Sequence, residues 1–183
     1  MISSSYQKRK MVVALSDCPA RLVPAGTRIM IPKDTFVTIT QDLGGNYTVA
    51  VNGNMARVDG TDAGALGLKA EQLNFEKPTD EFISEEQVEQ ALKSIYDPEI
   101  PVNLVDLGLI YNVEINQKNK SIQITMTLTA PGCGMGPVLI SDIKYRVAKV
   151  PNVEKVDVEL VFDPPWGREM MSDEAKLETG MFF

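Results

Sequence analysis

SIQITMTLTAPGCGMGPVLISDIKYRVAKV, residues 121–150, predicts a strand, a glycine-rich loop and a helix in succession. Apolar and polar residues alternate along residues 121–129, which is the period of a strand with one buried face. The predicted buried face holds Ile122, Ile124, Met126 and Leu128, and the opposite face holds Gln123, Thr125, Thr127 and Thr129. Residues 138–150 place apolar side chains at the spacing of a helix with one buried side. Cys133 therefore lies where a strand has ended and a helix is about to begin.

The segments on either side of this stretch complete one small domain. Ser84 is placed to cap a helix, with Gln87 reaching back as in a capping box, and Pro98 requires that helix to end by residue 97. Residues 103–116 predict a first strand, and the alternation after the second helix predicts a last one. The inward face of that last strand is predicted to hold Val156, Val158, Leu160 and Phe162. The order α-β-β-α-β predicts an α+β fold, a compact domain with helices on a small mixed sheet.

A small β-rich module is predicted to precede this domain, because short β-rich runs alternate with turn signals in residues 20–75. Asn52-Gly53 between two such runs favours a tight hairpin, in which both central residues need positive φ. The tail is predicted to form a helix that begins after Ser172 and ends at Gly180. We therefore expect a flexible leader at 1–19, the β-rich module at 20–75, the α+β domain at 82–167 and a helical tail at 168–183.

The composition argues against several classes of function. The 183 residues include no histidine, so Ser-His-Asp triads, Cys-His dyads and histidine zinc sites are not expected. The net charge of −7, with Lys and Arg scattered, argues against nucleic acid as a partner. No stretch approaches the roughly 20 apolar residues of a membrane span, and two cysteines do not make a disulfide framework. We expect a cytoplasmic protein with two free thiols and no membrane partner.

The loop around Cys133 has a functional and a structural interpretation. Gly132, Gly134 and Gly136 surround the cysteine, and Pro137 suits the first turn of the helix that follows. The partial positive charge at a helix start stabilises a thiolate, and the glycines let backbone approach a ligand. The alternative is a small buried residue that fills space under a tight turn. Cys18, in the predicted leader, is expected to be incidental.

Three carboxylates in YDPEIPVNLVDLG, residues 96–108, form the second candidate feature. Asp97, Glu99 or Asp106 is predicted to lie near Cys133 as a hydrogen-bond acceptor, proton acceptor or oxygen ligand. The alternative is that they bond local backbone amides in the turn that ends the helix. In FDPPWGRE, residues 162–169, a tryptophan is expected to anchor the core.

Three ordered motifs resemble the SufT proteins of bacterial iron-sulfur cluster biogenesis. They are DPEIPVNLVDLGLIYNVEI, TLTAPGCGMGP and FDPPWGREMMSDEAKLETGMF. The shared domain is also similar to the PaaD proteins and to eukaryotic cytosolic iron-sulfur targeting factors. The resemblance places the family's reactive cysteine on Cys133 and its acidic motifs on residues 97–99 and 106–108. One departure is that a proline directly follows the cysteine in many relatives, whereas Gly134, Met135 and Gly136 intervene here.

The resemblance implies an auxiliary maturation factor that helps deliver clusters to client apoproteins, and not a catalyst of metabolite turnover. Iron-sulfur clusters are typically held by four thiolates, so one chain is not expected to bind a cluster firmly. A transient cluster or iron on Cys133 would need a second chain, in a homodimer, or a carrier, scaffold or client protein to complete the ligand set. Two alternatives stay open: a metal-free adaptor with a structural Cys133, and a thiol-based redox sensor or enzyme.

Overall fold

The computed structural model describes residues 9–43, 45–97, 100–130, 134 and 136–180. The chain divides into two compact units, residues 1–72 and 73–183, which we call the N-terminal and C-terminal units. Each unit has its own apolar core, because the buried apolar side chains form two separate clusters.

The N-terminal unit is a six-stranded antiparallel sheet with strand order β1-β4-β5-β6-β2-β3. Its strands are β1 Lys10–Val13, β2 Cys18–Leu22, β3 Arg28–Ile31, β4 Phe36–Leu43, β5 Asn46–Val51 and β6 Asn54–Val58. A 3₁₀ helix, Gly60–Leu66, follows the last strand. The predicted hairpin is confirmed, because Asn52 and Gly53 join β5 to β6 with φ angles of 47° and 79°. The predicted β-rich character of this region is likewise confirmed.

The predicted flexible leader is wrong for residues 10–19. Strand β1 pairs with β4 along its whole length, and Ala14 is fully buried. Cys18 begins β2, lies opposite Ile31 and is also fully buried. Within the apolar run at residues 11–15, Ala14 is part of the N-terminal core and Val12 packs against it. Residues 1–8 lie outside the described part of the chain.

The C-terminal unit has the predicted order α-β-β-α-β, followed by a short tail. Its elements are α1 Glu85–Lys93, β7 Ile110–Asn116, β8 Ser121–Met126, α2 Gly136–Val147, β9 Lys155–Leu160, a 3₁₀ helix Arg168–Met170 and α3 Asp173–Thr179. Strand β8 is the centre of a three-stranded sheet, antiparallel to β7 and parallel to β9. The predicted α+β fold with a small mixed sheet is therefore confirmed. The core lies between this sheet and the helices α1 and α2.

The helix ends follow the sequence closely. Ser84 Oγ accepts a hydrogen bond from Gln87 N at 3.3 Å, as predicted. The reciprocal half of the capping box is absent among the described contacts, because Gln87 Nε2 donates to Glu76 O at 2.7 Å instead. Helix α3 begins after Ser172, whose Oγ accepts from the backbone three residues on, and ends at Gly180 with φ of 69°. Both predicted ends of the tail helix are confirmed.

Three strand predictions were too long. Strand β8 ends at Met126, although the alternation predicted it through residue 129. Residues 104–108 form turns, and β7 begins only at Ile110. Asn103 stabilises the turn, because its side chain accepts hydrogen bonds from the backbone N–H groups of residues 105 and 106. An extended strand could not keep these hydrogen bonds. Strand β9 ends at Leu160, and Phe162, predicted to face inward, is 41% exposed.

Candidate functional site

Three sequence motifs leave the C-terminal unit at one edge of its sheet, which we call the motif edge. Ile110 at the start of β7 lies opposite Met126 at the end of β8. Met126 in turn lies opposite Leu160 at the end of the parallel strand β9. The segments that precede β7, follow β8 and follow β9 therefore emerge side by side. These are residues 97–109, 127–135 and 161–171, which contain the acidic motifs, the cysteine loop and the tryptophan motif.

The segment before β7 is a tight turn whose polar groups bond one another. Asn103 Oδ1 accepts from Asp106 N at 2.9 Å, and Asn103 Nδ2 donates to the Asp106 carboxylate. Leu107 N donates to Asn103 O at 3.0 Å, and Gly108 closes the turn with φ of 78°. The Asp106 carboxylate thus has a structural partner within its own turn.

The segment after β9 folds onto this turn. Trp166 Nε1 donates to Leu107 O at 2.7 Å, and Ser172 N donates to Asp106 O at 2.8 Å. A Cβ atom added to Gly108 would lie only 2.3 Å from Met170 O, so the two backbones touch at the glycine. Trp166 also packs against the main core, as predicted. The first and third motifs are therefore one packed structure, although about 60 residues separate them in sequence.

Asp97 lies four residues after the end of α1 and is buried, with 8% of its surface exposed. Its Oδ1 accepts from Ile100 N at 2.9 Å, and its backbone N donates to Val102 O at 3.1 Å. Both carboxylates that the structure describes, Asp97 and Asp106, therefore bond local amides. Glu99 lies outside the described residues, and the proximity of any of the three to Cys133 stays a prediction.

The cysteine loop joins the end of β8 to the start of α2. Helix α2 begins at Gly136, so the predicted position of Pro137 in its first turn is confirmed. Gly136 is buried, and an added Cβ would lie 3.2 Å from Leu128 Cδ1 and 3.5 Å from Leu160 Cδ2. A Cβ at Gly134 would meet no atom of the described residues within 4 Å. Gly132 and Cys133 lie outside the described residues, and their roles stay predictions.

Thr127 is a candidate that sequence reasoning missed. The alternation of β8 assigns it to the polar face with Thr125, yet it is fully buried. Its backbone N donates to Leu109 O at 2.9 Å, which ties the cysteine loop to the segment before β7. Its Oγ1 has no hydrogen-bond partner among the described residues. A buried hydroxyl without a partner is uncommon and points to a role; its place six residues before Cys133 is the signal that could have identified it.

The second thiol is in an environment that suppresses its reactivity. Burial raises the pKa of Cys18 to about 11, and the negative charge of Asp62 adds to the effect. Its Sγ donates to Pro19 O at 3.6 Å, a local contact inside the N-terminal core. Because the thiolate is the reactive form, Cys18 is a structural residue.

The residues that the structure describes contain no group of three or more Cys, Asp or Glu side chains that could hold a metal ion. They also contain no helix that is long and apolar enough to cross a membrane.

Comparison with known proteins identifies the family. Residues 85–160 match the model of the family described as "Iron-sulfur cluster assembly protein". The chain is 46% identical over 101 residues to an "Fe-S protein maturation auxiliary factor" of Porphyromonas gingivalis, a match that covers 55% of this chain and 95% of the relative. It is 38% identical to "Fe-S protein maturation auxiliary factor SufT" of Staphylococcus aureus, covering 48% of this chain and 98% of the relative.

A solved structure has the same fold. It is a "Domain of Unknown Function DUF59 from Bacillus anthracis", 39% identical, with a TM-score of 0.50 over 53% of this chain and 92% of that one. The chain belongs to the iron-sulfur cluster assembly protein family, and the predicted resemblance to SufT proteins is confirmed. The family match contains residues 97–108 and Cys133, and it ends just before the tryptophan motif. It does not include the N-terminal unit.

Proposed function

We propose that this protein is an auxiliary factor that delivers iron-sulfur clusters to client apoproteins, with Cys133 as a transient thiolate ligand. The observation that carries the proposal is the likeness, along nearly their whole length, to relatives named as iron-sulfur protein maturation factors. The convergence of the three sequence motifs at the motif edge supports it, because the loop that contains Cys133 starts there beside the acidic turn. The protein would act as a maturation factor and not as a catalyst of metabolite turnover.

The chemistry of the loop fits a site that releases its cargo. Cys133 lies three residues before the first residue of α2, where unpaired backbone N–H groups favour a thiolate. A cluster needs about four thiolate ligands, and the other cysteine of this chain is buried in the N-terminal core. One chain would therefore hold a cluster incompletely, and a second chain, a carrier, a scaffold or a client would supply the remaining ligands. A reducing compartment such as the cytoplasm is part of the proposal, because Cys133 must remain a thiol.

The residues around the loop have distinct proposed roles. Gly132 and Gly134 would let cargo approach the backbone, and the described part of the chain leaves space for a Cβ at Gly134, which is consistent with this. Gly136 would set the start of α2 against the ends of β8 and β9. Asp97, Glu99 or Asp106 would assist as an oxygen ligand or proton acceptor, and the buried Thr127 hydroxyl would add a hydrogen bond at the loop.

The test is client maturation in a strain that lacks the protein, complemented with Cys133→Ala or with the matched control Cys18→Ala. Activity of an endogenous iron-sulfur enzyme is measured in extracts under iron limitation, before and after its cluster is rebuilt chemically. We expect Cys133→Ala to leave the client as apoprotein and Cys18→Ala to restore its maturation. If Cys133→Ala restored maturation fully, the thiolate mechanism would be wrong and a metal-free adaptor would replace it.

A further inference from the structure

Strand β7 has an apolar side that the helices do not cover. Ile110, Val113 and Ile115 lie opposite β8 residues that are almost completely buried, yet they are themselves only half-buried. The reason is position: β7 is the edge strand of the three-stranded sheet, and α2 packs on β9 at the other side. The helix layer therefore ends at α1 and leaves the margin of β7 open.

This open margin and α1 form a groove of about 450 Å³, which we call the α1–β7 groove. Its apolar lining consists of Val88, Leu92, Val105, Ile110, Val113 and Ile115. The one amide in the lining, Gln117, is already used, because its side chain accepts from Ile83 N and donates to Ile83 O. A small-molecule site would combine such an apolar lining with several convergent polar groups. The α1–β7 groove instead resembles the apolar part of a protein interface.

The charge around the groove is negative. Glu85 and Glu89, one helical turn apart on α1, line its rim. Glu89 pairs with Lys93 at 3.3 Å, but both side chains are about half exposed, so the pair is weak and exchangeable. The C-terminal unit as a whole has nearly twice as many acidic as basic residues. A partner for this groove should therefore carry basic side chains beside an apolar face.

The groove is better suited to bind a helix of the partner than to bind an added strand. The free edge of β7 carries a register irregularity between Ile110 and Asn112 and the charged side chain of Glu114. Bulges and edge charges are devices that prevent strand addition. The groove instead lies on the side of the sheet that α1 and α2 occupy, where the missing element is a third helix.

We propose that the α1–β7 groove binds an amphipathic helix of a partner protein, with apolar residues on one face and Lys or Arg beside them. Val105 and Ile110 line one end of the groove and belong to the motif edge, so the bound helix would lie next to the cysteine loop. Within the described residues of a second copy, the exposed tail helix α3 is a poor match, because it carries Asp173, Glu174 and Glu178, which the acidic rim would repel. This surface goes beyond the proposed cluster transfer and does not depend on it.

The test uses a fluorescein-labelled synthetic helix of Leu, Ala and Lys, with leucines at i, i+3, i+4 and i+7. Its binding to the full chain is measured by fluorescence anisotropy, beside a scrambled peptide and a peptide with Glu in place of Lys. The protein variants are Glu85→Lys combined with Glu89→Lys, and the control Glu86→Lys. Glu85 and Glu86 both lie in the first turn of α1, so they affect the helix dipole equally, but only Glu85 lines the groove.

We expect the double variant to weaken binding of the Lys peptide about tenfold and to strengthen binding of the Glu peptide, while Glu86→Lys changes either by less than about twofold. The gain for the Glu peptide cannot come from unfolding. Any of three results would overturn the proposal. The scrambled peptide could bind as tightly as the Lys peptide, the double variant and Glu86→Lys could have equal effects, or the Lys peptide could fail to bind at about millimolar concentration. Sedimentation of wild type and the variants gives another outcome that would overturn the proposal. If wild type formed a dimer and the double variant did not, the groove would bind a second copy of the chain.

Discussion

The contact between Gly108 and the tail provides the sharpest test of how the motif edge is built. Gly108 has φ of 78°, and an added Cβ would lie 2.3 Å from Met170 O. Gly108→Ala should cost about 1–2 kcal/mol for the left-handed backbone alone. Because the neighbour is backbone, a further 1–3 kcal/mol or so is expected from overpacking. The clash should push the tail away and break the Trp166–Leu107 hydrogen bond, so we expect a loss of about 2–5 kcal/mol in the free energy of unfolding.

Gly180→Ala is the matched control, since Gly180 lies in the same unit with φ of 69° but has no atom of the described residues within 4 Å of an added Cβ. It should cost only the backbone part, about 1–2 kcal/mol. The assay is urea unfolding followed by circular dichroism and by the fluorescence of Trp166, the only tryptophan of the chain. Gly108→Ala should also red-shift the native emission, because the indole loses its partly buried site. If the two variants were equally stable and Trp166 emission were unchanged, the close approach would be refuted.

Four further predictions concern single residues. Ser172→Ala should lower the free energy of unfolding of the C-terminal unit by about 1 kcal/mol in urea, because the α3 cap is lost. Trp166→Phe should cost about 1–3 kcal/mol, because Leu107 O loses its donor; a neutral result would contradict that bond. Thr127→Val should change stability by less than about 1 kcal/mol, since Oγ1 has no described partner, while client maturation falls. The pKa of Cys18 is raised from 9.0 to about 11, so the buried thiol contributes fully to the free energy of unfolding below pH 9, and this contribution is lost as pH rises toward 11. The decline reaches about 1.4 kcal/mol per pH unit, and Cys18→Ala should not show it when unfolding is measured across this range.

Much of the fold could be predicted from local sequence patterns. The alternation in residues 121–129 identified β8, and the helical spacing after the cysteine loop identified α2. Ser84 and Ser172 identified helix starts through their hydroxyls, and Asn52 identified a hairpin through its backbone preference. These signals succeed because each depends on a few adjacent residues.

The errors arose where distant residues decide the outcome. Residues 10–19 were predicted to be a leader because their apolar run is short. Residues 10–13 form a strand because they pair with β4, which is distant in sequence. Thr127 belongs by alternation to a polar face, but tertiary packing at the end of β8 buries it. The packing of Trp166 and Met170 on the Asp106–Gly108 turn joins segments about 60 residues apart, which no local pattern encodes. The chemistry of the site could be predicted from the three motifs alone. That the motifs meet at one edge of the sheet could not, because it depends on the strand directions, which only the structure shows.

The most direct test of the central claim is anaerobic reconstitution of the purified full chain with ferrous iron and sulfide. Iron and acid-labile sulfide per chain and the visible spectrum are measured for wild type, Cys133→Ser and the control Cys18→Ala. We expect a bound cluster in wild type and Cys18→Ala, none in Cys133→Ser, and transfer of the bound cluster to an added apoprotein. Equal cluster content in Cys133→Ser, or no cluster in any of three folded proteins, would contradict Cys133 as the cargo ligand.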